Sequence, residues 1–296
     1  MSSTTPVHLS DRYYRRLKLD PSILDTNATL EKLAIITEAH LSEITFDNLA
    51  QHGVRGGKAC LDVETTAQKI LEQSRGGFCF ELNGLLGEFL SELGYRVRRI
   101  PAYVFEPEIC SYRDNSSHLI LLVTMQCDDS IWFVDVAFGE PAIHPLQYIF
   151  NKPQETPEGM LSRLVHDTDS FVALQWLKDG EWKDRLRWKV DAICLDPLLC
   201  EFQKNLEFVQ CEESIFSQKL IVCKVTRTKK LTVAGNRLKV TEPRFGPESK
   251  QIIEEIDSVD SLRDVLEKKF GIAMEFTEGL DLAKSLRAST KVWSAI

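Results

Sequence analysis

The spacing of the apolar residues changes once along the chain, near Gly94, and this change limits the folds available to it. Before Gly94, apolar residues recur every three or four positions, which is the period of a helix with one buried face. We predict four helices there: a short first helix capped by Ser10, then residues 29–41, 61–73 and 78–93. The fourth has the most regular apolar face, formed by Phe78, Leu82, Leu85, Leu86, Phe89, Leu90 and Leu93.

After Gly94 the apolar residues alternate with polar ones or form short runs, as β-strands do. Asp179-Gly180 is typical of a hairpin turn, and a late helix is expected to end at Gly271. The order of helices, then strands, then a mixed segment favours an α+β fold over alternating β–α units. The predicted strands are residues 96–105, 118–124, 131–138, 219–228 and 231–242, the last folded at a Gly235-Asn236 hairpin turn. A further strand-rich stretch surrounds the tryptophans at 176, 182 and 188.

The charge balance argues against a nucleic-acid-binding protein. The 36 Lys and Arg residues against 44 Asp and Glu give a net charge of −8, whereas nucleic-acid-binding domains are typically basic. The longest aliphatic run, residues 119–123, is far shorter than a membrane span, and residues 1–10 lack the apolar core of a signal peptide. Eight cysteines in 296 residues are too dilute for a disulfide scaffold. We therefore expect a cytoplasmic protein with free thiols, no membrane partner and no nucleic-acid partner.

One cysteine lies where a thiol can become a nucleophile. In residues 75–79, Arg-Gly-Gly-Phe-Cys, two glycines permit a sharp turn, and Cys79 then begins the fourth predicted helix. Unpaired N–H groups and the positive end of the helix dipole favour an anion at this point, and hence the thiolate. Taken alone, the position fits an inert buried cysteine equally well.

A catalytic thiol also needs a base, and the base needs a group that orients it. His118 begins an apolar strand, and Asp135 lies between Val134 and Val136, where an unpaired carboxylate would be costly to bury. Because a short turn joins the two strands, one hairpin can present the imidazole and the carboxylate together to Cys79.

These segments resemble those of the arylamine N-acetyltransferase family. The family's nucleophile motif has the form Arg-Gly-Gly-aromatic-Cys-x-Glu-x-Asn, which residues 75–83 match, and its triad runs Cys, His, Asp in chain order. Residues 44–49 resemble the family's Pro-Phe-Glu-Asn-Leu element, with Asp47 in place of the glutamate. Weaker similarity in residues 153–164 and 214–216 extends the resemblance over nearly the whole chain.

The resemblance implies a three-domain arylamine N-acetyltransferase-like fold with a cysteine-protease-like catalytic core. A helical bundle in residues 1–95 would carry the nucleophile, and a β-barrel in residues 96–204 would carry the histidine and the aspartate. An α/β lid would occupy residues 205–296. The C-terminal residues 293–296 are expected to fold toward the cleft, with Ser294 near CoA.

The resemblance also implies ping-pong acyl transfer. Cys79 would attack the thioester of an acyl-CoA, and an arylamine or arylhydrazine would then take the acyl group. His118 would pair with the thiolate, and Asp135 would orient the imidazole and stabilise its charged form. No cofactor is expected to be bound permanently; acetyl-CoA or malonyl-CoA is the acyl-donor substrate.

Further residues near the triad receive roles from the same resemblance. Arg75 and Asp47 are expected to form a buried pair that supports the nucleophile loop. Arg113 is a candidate partner for the carboxylate of a malonyl group. Contacts to CoA or to the acceptor are expected from Asp114, Ser116, Ser117, Phe138 and Glu140.

Other candidate sites have simpler interpretations. The remaining cysteines form no C-x-x-C pair, so no metal site is expected, and His40 is interpreted as a packing residue on a helix. The basic residues Arg227, Lys229 and Lys230 form either a solvated surface or a contact for the CoA phosphates. Two alternative functions stay open: a thiol hydrolase or transglutaminase-like enzyme with the same triad, and a catalytically silent binding protein.

Overall fold

The helices lie mainly in the N-terminal third of the chain. A computed structural model describes residues 8–23, 27–54, 58–195 and 197–280; residues 293–296, including Ser294, lie outside them. Two helices, α3 and α7, each continue into a five-residue π-helical stretch. The helices of the described residues are α1 (Leu9–Leu17), α2 (Leu30–Glu43), α3 (Val63–Ala67), α4 (Cys79–Glu92), α5 (Gln203–Gln210), α6 (Ile215–Gln218) and α7 (Val259–Val265).

The strands of the described residues form two antiparallel sheets. The larger has the order β6-β5-β4-β2-β10-β9-β8-β7, with β3 added to β2, and the smaller has the order β1-β11-β12-β13-β14. The strands are β1 (Phe46–Asp47), β2 (Arg96–Glu106), β3 (Ser111–Tyr112), β4 (His118–Thr124), β5 (Ile131–Val134), β6 (Leu146–Gln147), β7 (Gln154–Glu155), β8 (Leu161–Thr168), β9 (Phe171–Lys178), β10 (Glu181–Lys189), β11 (Ile221–Val225), β12 (Lys230–Ala234), β13 (Arg237–Glu242) and β14 (Lys250–Glu255).

Helix α4 is buried on nearly every side and is the centre of the first core. Its apolar residues pack with those of α1 and α2 and with one face of β4. Tyr13 of α1 stacks on Phe89 of α4, with ring centroids 4.2 Å apart. Burial of each leucine side chain contributes roughly 2 kcal/mol, so α4 is fixed in place by several neighbours at once. Its first residue, Cys79, is therefore held on a rigid support.

The larger sheet curls around a second core, and its opposite face packs on α4. Strand β4 belongs to both layers because its residues alternate: Leu119 and Leu121 face the helices, whereas Ile120 and Leu122 face the interior of the sheet. All seven residues of β4 are buried. A strand covered on both faces reads as a continuous apolar run, which is the pattern that begins at His118.

The smaller sheet combines one strand from the N-terminal third of the chain with four strands from residues 221–255. Strand β1 lies within the first 95 residues, yet Phe46 pairs with Cys223 of β11. The domain boundaries at residues 95 and 204 stay predictions, but one strand of the smaller sheet comes from residues 1–95. No helix of the described residues has the length and apolarity needed to cross a membrane.

The predicted elements match the structure best where the apolar pattern is long. The α+β class, the helix from residue 78, the strand 118–124 and the hairpin at Asp179 are confirmed. Ser10 is not the predicted cap: it lies inside α1, and its hydroxyl donates to Glu92 Oε1 at 2.8 Å. Strand β5 ends at Val134 instead of residue 138, and strands β8 and β14 were not predicted.

Candidate active site

The loop before Cys79 is held against strand β1. The backbone N–H of Gly76 donates to Asp47 Oδ2 at 3.1 Å, and the N–H of Asp47 donates to Gly77 O at 3.1 Å. A Cβ atom at Gly76 would lie 2.0 Å from Thr45 O, so this position accepts only glycine. The two glycines of the motif thus allow the close approach of two backbones that fixes Cys79.

Asp47 and Arg75 are both buried beneath this loop. Burial raises the pKa of Asp47, and the positive charges of Lys69 and Arg75 act against that rise. The carboxylate also accepts from the N–H of Leu49 at 3.2 Å. The supporting contact seen here is from the Asp47 carboxylate to the loop backbone, and the role expected for Arg75 stays a prediction.

Cys79, His118 and Asp135 lie together at the junction of the two cores. Cys79 is the first residue of α4, His118 is the first residue of β4, and Asp135 directly follows β5. His118 Nε2 lies 2.7 Å from Asp135 Oδ2, and both side chains are buried. Cys79 Sγ lies 3.8 Å from Ser117 O, the carbonyl that precedes His118. Because Nε2 is hydrogen-bonded to Asp135, Nδ1 is the ring nitrogen available to interact with the Cys79 thiol.

The charges of its two neighbours determine the protonation of His118. Burial alone would lower its pKa, because burial penalises the charged ring. The negative charges of Asp135 and Cys79, with hydrogen bonds to both, outweigh burial and raise the pKa of His118 to about 10. The imidazole is therefore protonated at neutral pH, and its Nε2–H donates to Asp135.

Asn83 connects the helix of the nucleophile to the other two triad residues. Its Nδ2 donates to Asp135 Oδ1 at 2.9 Å and to Leu119 O at 2.6 Å, and its Oδ1 accepts from the N–H of Val136 at 3.0 Å. The motif alone does not predict this role of Asn83. The available signal was its spacing, because a residue four positions after Cys79 lies on the same helix face.

Glu81 is a second residue of the motif whose role was not predicted. Its Oε2 accepts from the N–H of Phe78 at 3.0 Å, and its Oε1 pairs with Lys69. The carboxylate thus binds an N–H group just before α4. The N–H groups of the first turn of α4, beginning at Cys79, have no acceptor within the helix.

A cavity of about 70 Å³ opens beside Cys79 and His118. Ser117 and Phe138, two of the predicted contact residues, line it together with Arg113. The rest of the wall is mostly apolar and comes from all three parts of the chain: Phe46, Val104, Ala137, Gly139, Phe208, Val209, Ser214, Ile215 and Phe216.

The ring of Phe138 is held between the triad and a buried arginine. Its centroid lies 5.3 Å from that of His118 in an edge-to-face arrangement. The guanidinium of Arg185 lies 4.8 Å from the Phe138 centroid and 3.9 Å from that of Trp176. Burial lowers the pKa of Arg185 to about 10, against the charge of Glu140. The guanidinium therefore stays charged, and Phe138 is a fixed part of the cavity wall.

The other predicted contact residues lie outside this wall. The Ser116 hydroxyl accepts from Asn205 Nδ2 at 2.6 Å, and Asp114 is exposed on the preceding turn. Glu140 forms ion pairs with Lys230, whose Nζ lies 2.6 Å from its carboxylate, and with Arg244, whose Nη2 lies 3.4 Å from it. Their contacts to CoA or to the acceptor stay predictions.

The basic cluster of residues 227–230 is neutralised residue by residue. Arg227 pairs with Glu38 at 2.6 Å and Lys229 pairs with Glu242 at 2.8 Å, in addition to the Lys230 pair with Glu140. A contact to the CoA phosphates would have to displace these carboxylates. Among the described residues, no group of three or more histidine, cysteine or acidic side chains could hold a metal ion.

Comparison with known proteins places the chain among acetyl-transferring enzymes. A family model described as N-acetyltransferase matches residues 29–279. A pineal gland arylamine N-acetyltransferase of Gallus gallus is 28% identical over 264 residues, which cover 83% of this chain and 88% of the relative. The arylamine N-acetyltransferase / N-hydroxyarylamine O-acetyltransferase of Salmonella typhimurium is 28% identical over 269 residues, 88% of each chain.

Solved structures give the same result for the fold. The arylamine N-acetyltransferase of Mycobacterium smegmatis superposes with a TM-score of 0.80 at 25% identity, covering 93% of this chain and 98% of that one. The Mycobacterium marinum enzyme, in complex with CoA, has a TM-score of 0.79 at 25% identity and covers 93% and 99% of the two chains.

The fold and the matched family together define an acyltransferase. More narrowly, the chain belongs to the arylamine N-acetyltransferase family. The α+β fold and the family expected from the motif around Cys79 are thereby confirmed.

Proposed function

We propose that this enzyme transfers an acetyl group from acetyl-CoA to an arylamine or arylhydrazine through a thioester on Cys79. The observation that carries the proposal is the buried contact between His118 and Asp135 beside the Cys79 thiol. Relatives of the chain are named for arylamine N-acetylation, and a similar structure holds CoA. We place the reaction in the cytoplasm, where the eight free cysteines stay reduced.

In the first half-reaction, the Cys79 thiolate attacks the thioester carbonyl of acetyl-CoA. The bond from Sγ to the carbonyl carbon forms, the bond from that carbon to the CoA sulfur breaks, and the proton of His118 passes to the departing thiolate. Unpartnered N–H groups at the start of α4 stabilise the oxyanion of the tetrahedral intermediate. The acetylated Cys79 and a neutral His118 remain.

The second half-reaction depends on the loss of the thiolate charge. The negative charge of Cys79 is one cause of the raised pKa of His118, so acetylation removes that cause and lowers the pKa. The neutral imidazole then takes a proton from the attacking amine while Cys79 leaves as the thiolate. Each turnover ends with the same charged pair from which it began.

The cavity favours an acetyl over a malonyl group. Its wall is mostly apolar, and the guanidinium of Arg113 is already paired with Glu106. A malonyl carboxylate would have to compete with Glu106 for this cation and would lose water on entering the cavity. Acetyl carries no such charge.

Intact-protein mass spectrometry after mixing with each acyl-CoA, without an acceptor, tests the acyl-enzyme and the donor together. We expect a mass increase of one acetyl group from acetyl-CoA and little labelling from malonyl-CoA. Cys79→Ala should abolish the label, whereas Cys223→Ala, which removes another buried thiol, should retain it. Labelling of the Cys79→Ala variant would refute the assignment of the nucleophile.

Decay of the labelled enzyme separates transfer from hydrolysis. With an arylamine present, the label should disappear faster than in buffer alone and appear on the amine. Equal decay rates with and without the arylamine would instead identify a thiol hydrolase.

A further inference from the structure

Strand β14 leaves one side of the smaller sheet without a partner among the described residues. It pairs with β13 on its inner side and is the last strand of the sheet. All six of its residues are exposed, and they include Ile252 at 59% and Ile253 at 58%. An exposed edge that carries apolar residues is a template for pairing with another strand.

The sequence of β14 is complementary to itself in one antiparallel register. When two identical strands pair about a two-fold axis, opposing residues must lie on the same face, so the two numbers in each pair differ by an even amount. With Ile252 on the axis, Ile252 faces Ile252 of the second copy, and Lys250 faces Glu254 at both ends. With Ile253 on the axis, Ile252 would face Glu254 and no opposite charges would meet.

The two charged residues of this register are Lys250 and Glu254, and both are exposed. Lys250 and Glu254 form no ion pair with other described residues, although their neighbour Glu255 lies 3.7 Å from Arg237. The side chains of Lys250, Ile252 and Glu254 share one face of the sheet. This face presents a cation, an apolar centre and an anion in sequence. A second copy related by the two-fold axis therefore meets each charge with the opposite charge.

We propose that this enzyme forms a two-fold dimer in which the β14 strands of two chains pair antiparallel about Ile252. The two five-stranded sheets become one sheet of ten. The opposite edge of each sheet is β1, which holds the loop of Cys79. Four strand spacings of about 4.8 Å place that edge ~19 Å from the interface, so both active sites stay open.

Charge reversal with rescue tests the interface. At tens of micromolar, sedimentation equilibrium should give the wild type a mass of twice 33.7 kDa. Lys250→Glu places like charges at both ends and should weaken the dimer by about tenfold or more. Adding Glu254→Lys to that variant should restore it, and acetyl transfer per chain should be equal in all three. A wild type that is monomeric, or a double variant that fails to recover, would overturn the proposal.

Cysteine cross-linking tests the register. Ile252→Cys places two thiols opposite each other across the axis and should give a disulfide-linked dimer on oxidation, mapped to residue 252 in both chains by mass spectrometry. Ile253→Cys is the matched control, because it is equally exposed but faces Gln251 of the second copy. Equal cross-linking of the two variants, or a bridge at residue 253 alone, would contradict the register.

Discussion

His40 and His118 are buried to nearly the same extent, at 0% and 3% exposure, yet they differ in charge. His40 lies in the helical core, where its Nδ1 is 2.8 Å from the hydroxyl of Tyr13. Burial, with a smaller effect from Arg16, lowers its pKa to about 3. His118 has a carboxylate and a thiol as neighbours, and its pKa is raised to about 10.

The comparison shows that neighbouring groups, more than burial, determine what a histidine does in this protein. A neutral hydroxyl beside His40 leaves the cost of burying a charge unopposed, so the ring stays neutral and packs. Two anionic groups beside His118 outweigh the same cost and keep a proton in the site. His40 was interpreted from the sequence as a packing residue, and its contact with Tyr13 agrees with that interpretation.

The largest expected effect separates the two rings by function. His118→Gln should reduce kcat/KM for acetyl transfer roughly 10⁴-fold, because it removes the proton donor and acceptor. His40→Gln should change kcat/KM by less than about twofold and should cost about 1–3 kcal/mol of stability through its buried hydrogen bond. Steady-state kinetics and urea unfolding measure the two effects. A comparable loss of activity in both variants would contradict the different roles assigned to His118 and His40.

Removal of the Asp135 carboxylate should shift the pKa of His118 toward the low pKa of His40. Asp135→Asn keeps the shape but removes one of the charges that raise the pKa of His118, so that pKa should fall. We expect a loss of roughly 10³ in kcat/KM, since the amide neither stabilises the imidazolium nor orients it correctly. An NMR titration of His118 checks the cause separately from the rate. An unchanged pKa would mean that Asp135 has no electrostatic role.

A smaller effect is expected when the connection between helix and triad is removed. Asn83→Ala deletes three hydrogen bonds and leaves the backbone N–H of Val136 without its partner. We expect a loss of about 1–3 kcal/mol in unfolding free energy and about a tenfold reduction in kcat. Asn205→Ala, which removes the two hydrogen bonds to Ser116, serves as a control because Asn205 contacts no triad residue in these bonds. An equal effect of both substitutions on kcat would argue against a positioning role for Asn83.

The last expected effect is on the pH dependence of stability, and it has opposite signs at the two histidines. The pKa of His118 is raised in the folded state, so its contribution is full below about pH 6.5. It is lost as the pH rises through about 10. The pKa of His40 is lowered, so its contribution is full above about pH 6.5 and is lost as the pH falls toward 3.

Urea unfolding at a series of pH values detects both signs. Compared with the wild type, His40→Gln should lose less stability between pH 6.5 and 4, and His118→Gln should lose less between pH 8 and 10. Parallel stability curves for all three proteins would show that neither ring has a shifted pKa.

The sequence predicts the elements of the site better than the contacts between them. Residues 118–124 were predicted as a strand because a run covered on both faces is apolar throughout. Strand β5 was predicted too long because Val136 and Phe138 continue the alternation, whereas Asp135 and Asn83 bind the backbone N–H groups there. Local pattern contains no information about such partners from distant segments.

Two further contacts could not be predicted for the same reason. Strand β1 is only two residues long, and its partner β11 lies about 175 residues away in the chain. The spacing of apolar residues in a short window does not indicate such a distant partner. Glu140 was expected near the acceptor from its position after the triad. That contact stays a prediction, whereas the pairing of its carboxylate with Lys230 and Arg244, which follow it by 90 residues or more, could not be predicted from local sequence.

The protonation of His118 in the resting enzyme is the most direct test of the mechanism. Nitrogen-15 NMR of the imidazole at pH 7 distinguishes a ring with two N–H groups from a neutral ring with one. The charges of Asp135 and Cys79 predict two N–H groups on His118, and the Cys79→Ala variant should show a lower pKa. A neutral His118 at pH 7 in the unmodified enzyme would contradict the charged pair on which the proposed acyl transfer depends.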